Sequence, residues 1–305
     1  MRGEPSRATL ALAVAGSILA VSTAATLIRL SEASPVAIAF HRLLYATLML
    51  LPFAAWRARA ELRALAARDW LGLSAVGVVL ALHFAAWITS LDLTSVASSV
   101  LLVTLHPVLV ALASQRLYGE GLTPRGFGGV ALALVGGAVI LWGDRGGGAA
   151  PLVGDALALV GALAAATYFL AGRGYRRRLP LLAYVVPVYA ASALTLGVLL
   201  VALPAPYGGP VLGYPLREHL LFLALAAVPM VLGHTVLNWA LKYVPAPVIA
   251  TTVLGEPVGA SVLALVVLGE APPLLTVAGG ALVLLGIGAV ALSPTPPRPA
   301  PPAGG

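Results

Sequence analysis

Ten apolar runs, each of 20 residues or more and separated by little else, constrain this chain more than any other feature. They occupy residues 8–29, 35–56, 70–91, 94–116, 122–142, 153–172, 180–203, 218–241, 244–268 and 272–292. Each can cross a hydrocarbon core about 30 Å thick. Lipid offers a backbone amide no hydrogen-bond partner, so a crossing segment must satisfy its own, and runs of this length do so as helices. Connections as short as Asp92-Leu93 and Tyr243 make neighbouring spans antiparallel. The fold class expected is therefore all-α, ten transmembrane helices. Only 10% of residues are charged, against about 25% in a soluble domain, which excludes a large soluble core.

Arg2 and Arg7 before the first run, and the small residues Ser22-Thr23-Ala24-Ala25 within it, have the look of a cleavable leader. The run continues through Leu30, however, and reads as the first span. Fourteen of the 18 basic residues fall at one set of span ends and three (Arg29, Arg145, Arg217) at the other, with Arg42 inside a span. Positive charge is retained on the cytoplasmic side, so both termini are expected there, in the inner membrane. The net charge of +7 has this origin and implies the bilayer, not nucleic acid, as partner. The absence of cysteine rules out disulfides and thiolate metal sites. With no phosphate-binding loop and no His-Glu-x-x-His metal motif, ATP hydrolysis, enzymatic activity and a cofactor are not expected.

Two devices repeat. His106-Pro107 and Glu256-Pro257 lie 150 residues apart, and at that offset Leu91 meets Leu241, Gly129 meets Gly279 and Gly136 meets Gly286. Gly119-Glu120 likewise meets Gly269-Glu270. The Gly-rich stretch from 143 to 152 divides five spans from five, giving repeats over 8–142 and 153–292, followed by a Pro-rich tail at 293–305 expected to be disordered. An odd number of spans per repeat inverts the second relative to the first. Inverted repeats are a mark of alternating-access carriers whose substrate site lies near the midplane.

Depth then selects candidate residues. Glu256 lies 12 residues past Val244, roughly 18 Å into the membrane at 1.5 Å per residue, where a carboxylate is costly unless protonated, paired or wet. It is a candidate for binding a proton or a substrate amine. His106 is the second proton-coupling candidate, or else a histidine serving the carbonyl that Pro107 leaves without an amide. Pro107 and Pro257 themselves should kink their helices. His83 and Trp87, and likewise His234 and Asn238, are four residues apart and share a helix face; with Tyr168 they form the expected substrate-binding set. Trp87 and His83 present a ring face and an imidazole suited to an aromatic or zwitterionic ligand. Arg42 either attracts an anionic group or snorkels to the headgroups, and Tyr45 shares its face. The glycines of the fifth and tenth spans allow close helix approach and offer faces for a homodimer.

The paired motifs His106-Pro107 to Gly119-Glu120, Gly128-Gly129 and Gly136-Gly137, then Glu256-Pro257, Gly269-Glu270, Gly279-Gly280 and Gly286 resemble those of the drug/metabolite transporter superfamily, specifically its EamA-type ten-span exporters. The resemblance extends from about residue 8 to 292 and includes Arg42 in the second span. It implies export of small metabolites, often amino acids, through a central cavity lined by spans 1, 3, 4, 6, 8 and 9. Two other readings remain at this point: an uncoupled facilitator with Glu256 structural, and a membrane-embedded lipid-handling protein or enzyme.

Overall fold

The computed structural model describes residues 5–118, 123–143, 149–244, 246–253 and 255–291. Glu120, half of the expected linker (144–148) and the tail lie outside these residues. The described chain is helical, with no strand among the described residues. Eight helical units are long and apolar enough to cross a membrane: Arg7–Arg29, Pro35–Arg57, Ala67–Leu93, Val96–Ala113, Pro124–Gly143, Pro151–Arg176, Leu181–Ala202 and Leu216–Ala240, spans 1 to 8 below. Two shorter apolar helices follow, Gly255–Leu268 and Leu274–Ala289.

Local sequence explains where these helices begin and break. Ser34 caps span 2, its hydroxyl accepting the Ala37 amide at 3.3 Å, and Pro35 takes the first position, where no amide is needed. Ser95 caps span 4 through the Ser98 amide at 3.1 Å. Both proline devices interrupt their helices. Span 4 divides into Val96–Val103 and His106–Tyr118, and Ala246–Thr252 is separated from Gly255–Leu263 by a turn in which the Glu256 amide donates to the Val253 carbonyl at 2.9 Å. Span 8 holds a third irregularity, a π-helical stretch over Ala226–Thr235 containing Pro229. Its wide turn is visible in Thr235, whose hydroxyl donates to the Met230 carbonyl five residues back at 3.1 Å.

Glycine decides one helix pairing. Span 5 lies along Leu274–Ala291 so closely that a Cβ on Gly136 would come within 2.6 Å of the Gly279 carbonyl oxygen, and one on Gly286 within 2.6 Å of the Gly129 carbonyl oxygen. These are the residues that match at the 150 offset, so equivalent spans of the two repeats meet through equivalent glycines. Gly129, Gly136, Gly279 and Gly286 thus pack against one another within the chain. Gly128 and Gly288, with nothing within 4 Å, point away from it.

Each end of the bundle is held by polar contacts between the repeats. At one end Glu270 accepts the Val96 amide at 2.6 Å and pairs with Arg29 at 3.1 Å, while Arg29 also donates to the Leu91 carbonyl at 2.9 Å. At the other, Asp69 pairs with Arg178 at 2.7 Å. Arg173 donates to the Leu241 and Val244 carbonyls at 2.6 and 3.1 Å, and Arg176 to that of Asn238 at 3.0 Å. These two arginines of span 6 thereby satisfy carbonyls at the C-terminal end of span 8, where a helix has none of its own amides to offer.

Candidate functional site

Where the interrupted helices meet, the bundle encloses a cavity of about 30 Å³, room for a water or two on a scale where one occupies about 10–15 Å³. Six segments line it: Val21 of span 1, His83 and Trp87 of span 3, Thr104 and His106 of span 4, Phe169 of span 6, His234 of span 8, and Glu256 after the second break. Three of the lining segments come from each repeat. The segment bearing Glu256 approaches span 1 on two glycines four residues apart: a Cβ on Gly255 would meet Ile18 at 2.8 Å, and one on Gly259 the Ser22 hydroxyl at 2.4 Å.

The walls are aromatic and partly polar. His83 stacks on Trp87 with centroids 6.1 Å apart at 11°, and His106 on Phe169 at 5.2 Å and 9°. His83 Nδ1 is 2.9 Å from the Gly161 carbonyl, which can only accept, so Nδ1 carries a proton. His106 Nδ1 likewise donates to the Val103 carbonyl at 3.1 Å. That is the acceptor which Pro107 leaves without an amide, so this histidine repairs the helix break. Its Nε2, like Trp87 Nε1, is buried and makes no hydrogen bond with the described residues. A ring nitrogen able to accept and an indole able to donate therefore border the same cavity. Glu256 is partly buried, and its carboxylate forms no side-chain hydrogen bond with the described residues.

Three of the sequence-selected residues lie away from this cavity. Asn238 and Tyr168 do not line the cavity; both are buried behind it, with Asn238 Nδ2 donating to Tyr168 Oη and to the His234 carbonyl at 2.7 Å each. Their place is to fix the backbone under His234. Tyr45 bonds His219 Nδ1 at 2.7 Å in a separate cluster, where His41 stacks on Phe222 at 4.4 Å. Sequence reading missed His41 and His219, although an imidazole beside Arg42 in an apolar span was a visible signal.

Arg42 does not snorkel. It is fully buried, its guanidinium 4.3 Å above the Phe84 ring centre, and none of its three guanidinium nitrogens has a hydrogen-bond partner among the described residues. A cation–π contact contributes about 0.5–2 kcal/mol, whereas desolvating a guanidinium costs several kcal/mol, so Phe84 alone does not compensate this charge. Snorkelling fails for a steric reason. Span 2 is packed against span 7, with Phe40 against Gly197, which leaves the arginine enclosed among helices. Phe84 in turn meets His234 edge-on at 5.6 Å and His83 at 4.8 Å. One ring thus lies between Arg42 and two histidines of the cavity wall.

Comparison with known proteins agrees with this architecture. A solved structure titled only as the crystal structure of a protein superposes with a TM-score of 0.65 at 23% identity, over 93% of this chain and 96% of that one. At that identity the likeness concerns the fold. No curated protein matches the chain. The sequence model of the EamA-like transporter family matches twice, over residues 6–142 and 152–292, once for each repeat. With both halves matched, this multi-span membrane protein belongs to the EamA-like transporter family and is a transporter, not an enzyme.

Proposed function

We propose that this chain is a secondary active transporter that exports small metabolites, amino acids or related compounds, across the inner membrane by alternating access. In this reading ten spans form two inverted five-helix repeats, with both termini cytoplasmic. The short helix Ala246–Thr252 joins Gly255–Leu268 as the ninth span, and Leu274–Ala291 is the tenth. The observation that carries the reading is the cavity itself, which three segments of each repeat enclose around Glu256 and three histidines. A space of about 30 Å³ is too small for an amino acid, so the enclosed state is one the halves must leave in order to load or release.

Glu256 is the proton-binding group of this scheme, because a carboxylate at that depth without a hydrogen bond is stabilised by protonation or by a cationic ligand. His106, tied to Val103, serves the helix break and lends its Nε2 to the wall. Flux from proteoliposomes loaded with amino acids and related metabolites, with and without an imposed pH gradient, tests the proposal. Saturable flux driven uphill by the gradient is expected. Saturable flux that only equilibrates would make the protein an uncoupled facilitator.

A further inference from the structure

We infer that Arg42 is the anion-binding half of the substrate site, and that the substrate is amphoteric, its carboxylate held by Arg42 and its ammonium by Glu256. The inference rests on the export reading above and adds to it which residues hold the two charges of the substrate.

Three observations point to this. Arg42 is enclosed completely, yet all its guanidinium nitrogens lack an acceptor among the described residues, which is the condition of a group awaiting an anion, since a planar fork of donors matches a carboxylate's two oxygens. Phe84, the ring against which its guanidinium lies, also meets His234 and His83 of the cavity wall. Rotation of that ring would join the guanidinium to the cavity and widen a space now too small for an amino acid. Finally, Arg42 and Glu256 come from opposite repeats, and no ion pair joins them among the described residues. A carboxylate and an ammonium on one small molecule complete both charges and link the two halves through the ligand. Trp87 Nε1 and His106 Nε2, without partners on the same walls, remain for the rest of it.

The test uses leucine and phenylalanine, each with its carboxamide and its decarboxylated amine, which keep the ammonium and remove the anion. Equilibrium binding to the full chain in detergent reads the assignment, and flux in proteoliposomes reads the export proposal separately. The native protein is expected to bind the amino acids at least tenfold more tightly than the amides or amines. Arg42→Gln should weaken amino-acid binding tenfold or more and change amine binding less than threefold, with Arg42→Lys in between. Phe84→Leu keeps the charge and removes the ring against it, and should widen the amino-acid preference at least threefold, which keeps the test intact should Arg42→Gln not fold. Equal binding of all three forms, binding of none, or a preference unchanged in both variants would overturn the assignment. Flux without that preference would leave export standing without Arg42, whereas absence of flux across the panel would overturn export itself.

Discussion

Gly136 and Gly279 face each other so closely that a Cβ on either would come within 2.6 or 2.7 Å of the other's carbonyl oxygen. The clash would be with backbone, which cannot swing aside. Gly136→Ala should therefore destabilise the chain by about 1–3 kcal/mol, the range for overpacking a close contact. Gly128→Ala and Gly288→Ala meet nothing within 4 Å and should be neutral or gain up to about 1 kcal/mol from helix propensity. Thermal unfolding in detergent would separate the two classes.

His106→Ala removes the donor that serves the Val103 carbonyl. Leaving a buried acceptor unsatisfied costs about 1–3 kcal/mol. His106→Asn can place an amide nitrogen near the position of Nδ1 and should recover most of the loss. A stability in His106→Ala equal to the native protein's would mean that the break at Thr104 is held by other contacts.

Glu256→Gln retains the shape of the side chain and removes its titration. If Glu256 carries the coupled proton, gradient-driven accumulation should be abolished and the pH dependence of flux flattened. The groups that share its surroundings (Arg42, His83, His106 and His234) remain in this variant. An unchanged pH profile would assign the dependence to one of them.

Much of this architecture was legible beforehand, and particular residues explain why. Hydropathy marks spans because lipid tolerates so little else. Pro107 and Pro257 announce their helix breaks because a missing amide has the same consequence in any fold, and the 150-residue offset identifies the glycines that meet. What could not be read is what stands beside a residue in three dimensions. Arg42 sits about 10 Å inside its span by rise per residue, a depth compatible with either snorkelling or enclosure; only the neighbouring helices decide it. Asn238 and His234 share a face by spacing, but the π-helical turn at Ala226–Thr235 alters that face, and Asn238 turns toward Tyr168. Glu270 gave no hint that its partners would be Arg29 and the start of span 4, both more than 170 residues away.

The two ends of the bundle should differ in how firmly they close. Glu270→Ala removes a cap, a loss of about 0.5–2 kcal/mol, together with an ion pair. Arg178→Ala removes a pair whose arginine side chain is 51% exposed, and exposed pairs contribute about 0.2–1 kcal/mol. The chain has no native cysteine, so Thr104→Cys would report access to the cavity without background. Labelling by a water-soluble thiol reagent should rise several-fold more from the Glu270 end in Glu270→Ala than from the opposite end in Arg178→Ala.

The capping of Val96 by Glu270 has a further consequence. Span 4 keeps its Ser95 cap wherever it moves, but the Val96 amide takes its acceptor from the other half of the molecule. If the halves part on this side as proposed, an amide and a guanidinium are handed to water, and when they close, water must be shed from both. Opening here is thus a hydration event as much as a rigid-body movement, and solutes that lower water activity should slow it even when they never enter the cavity.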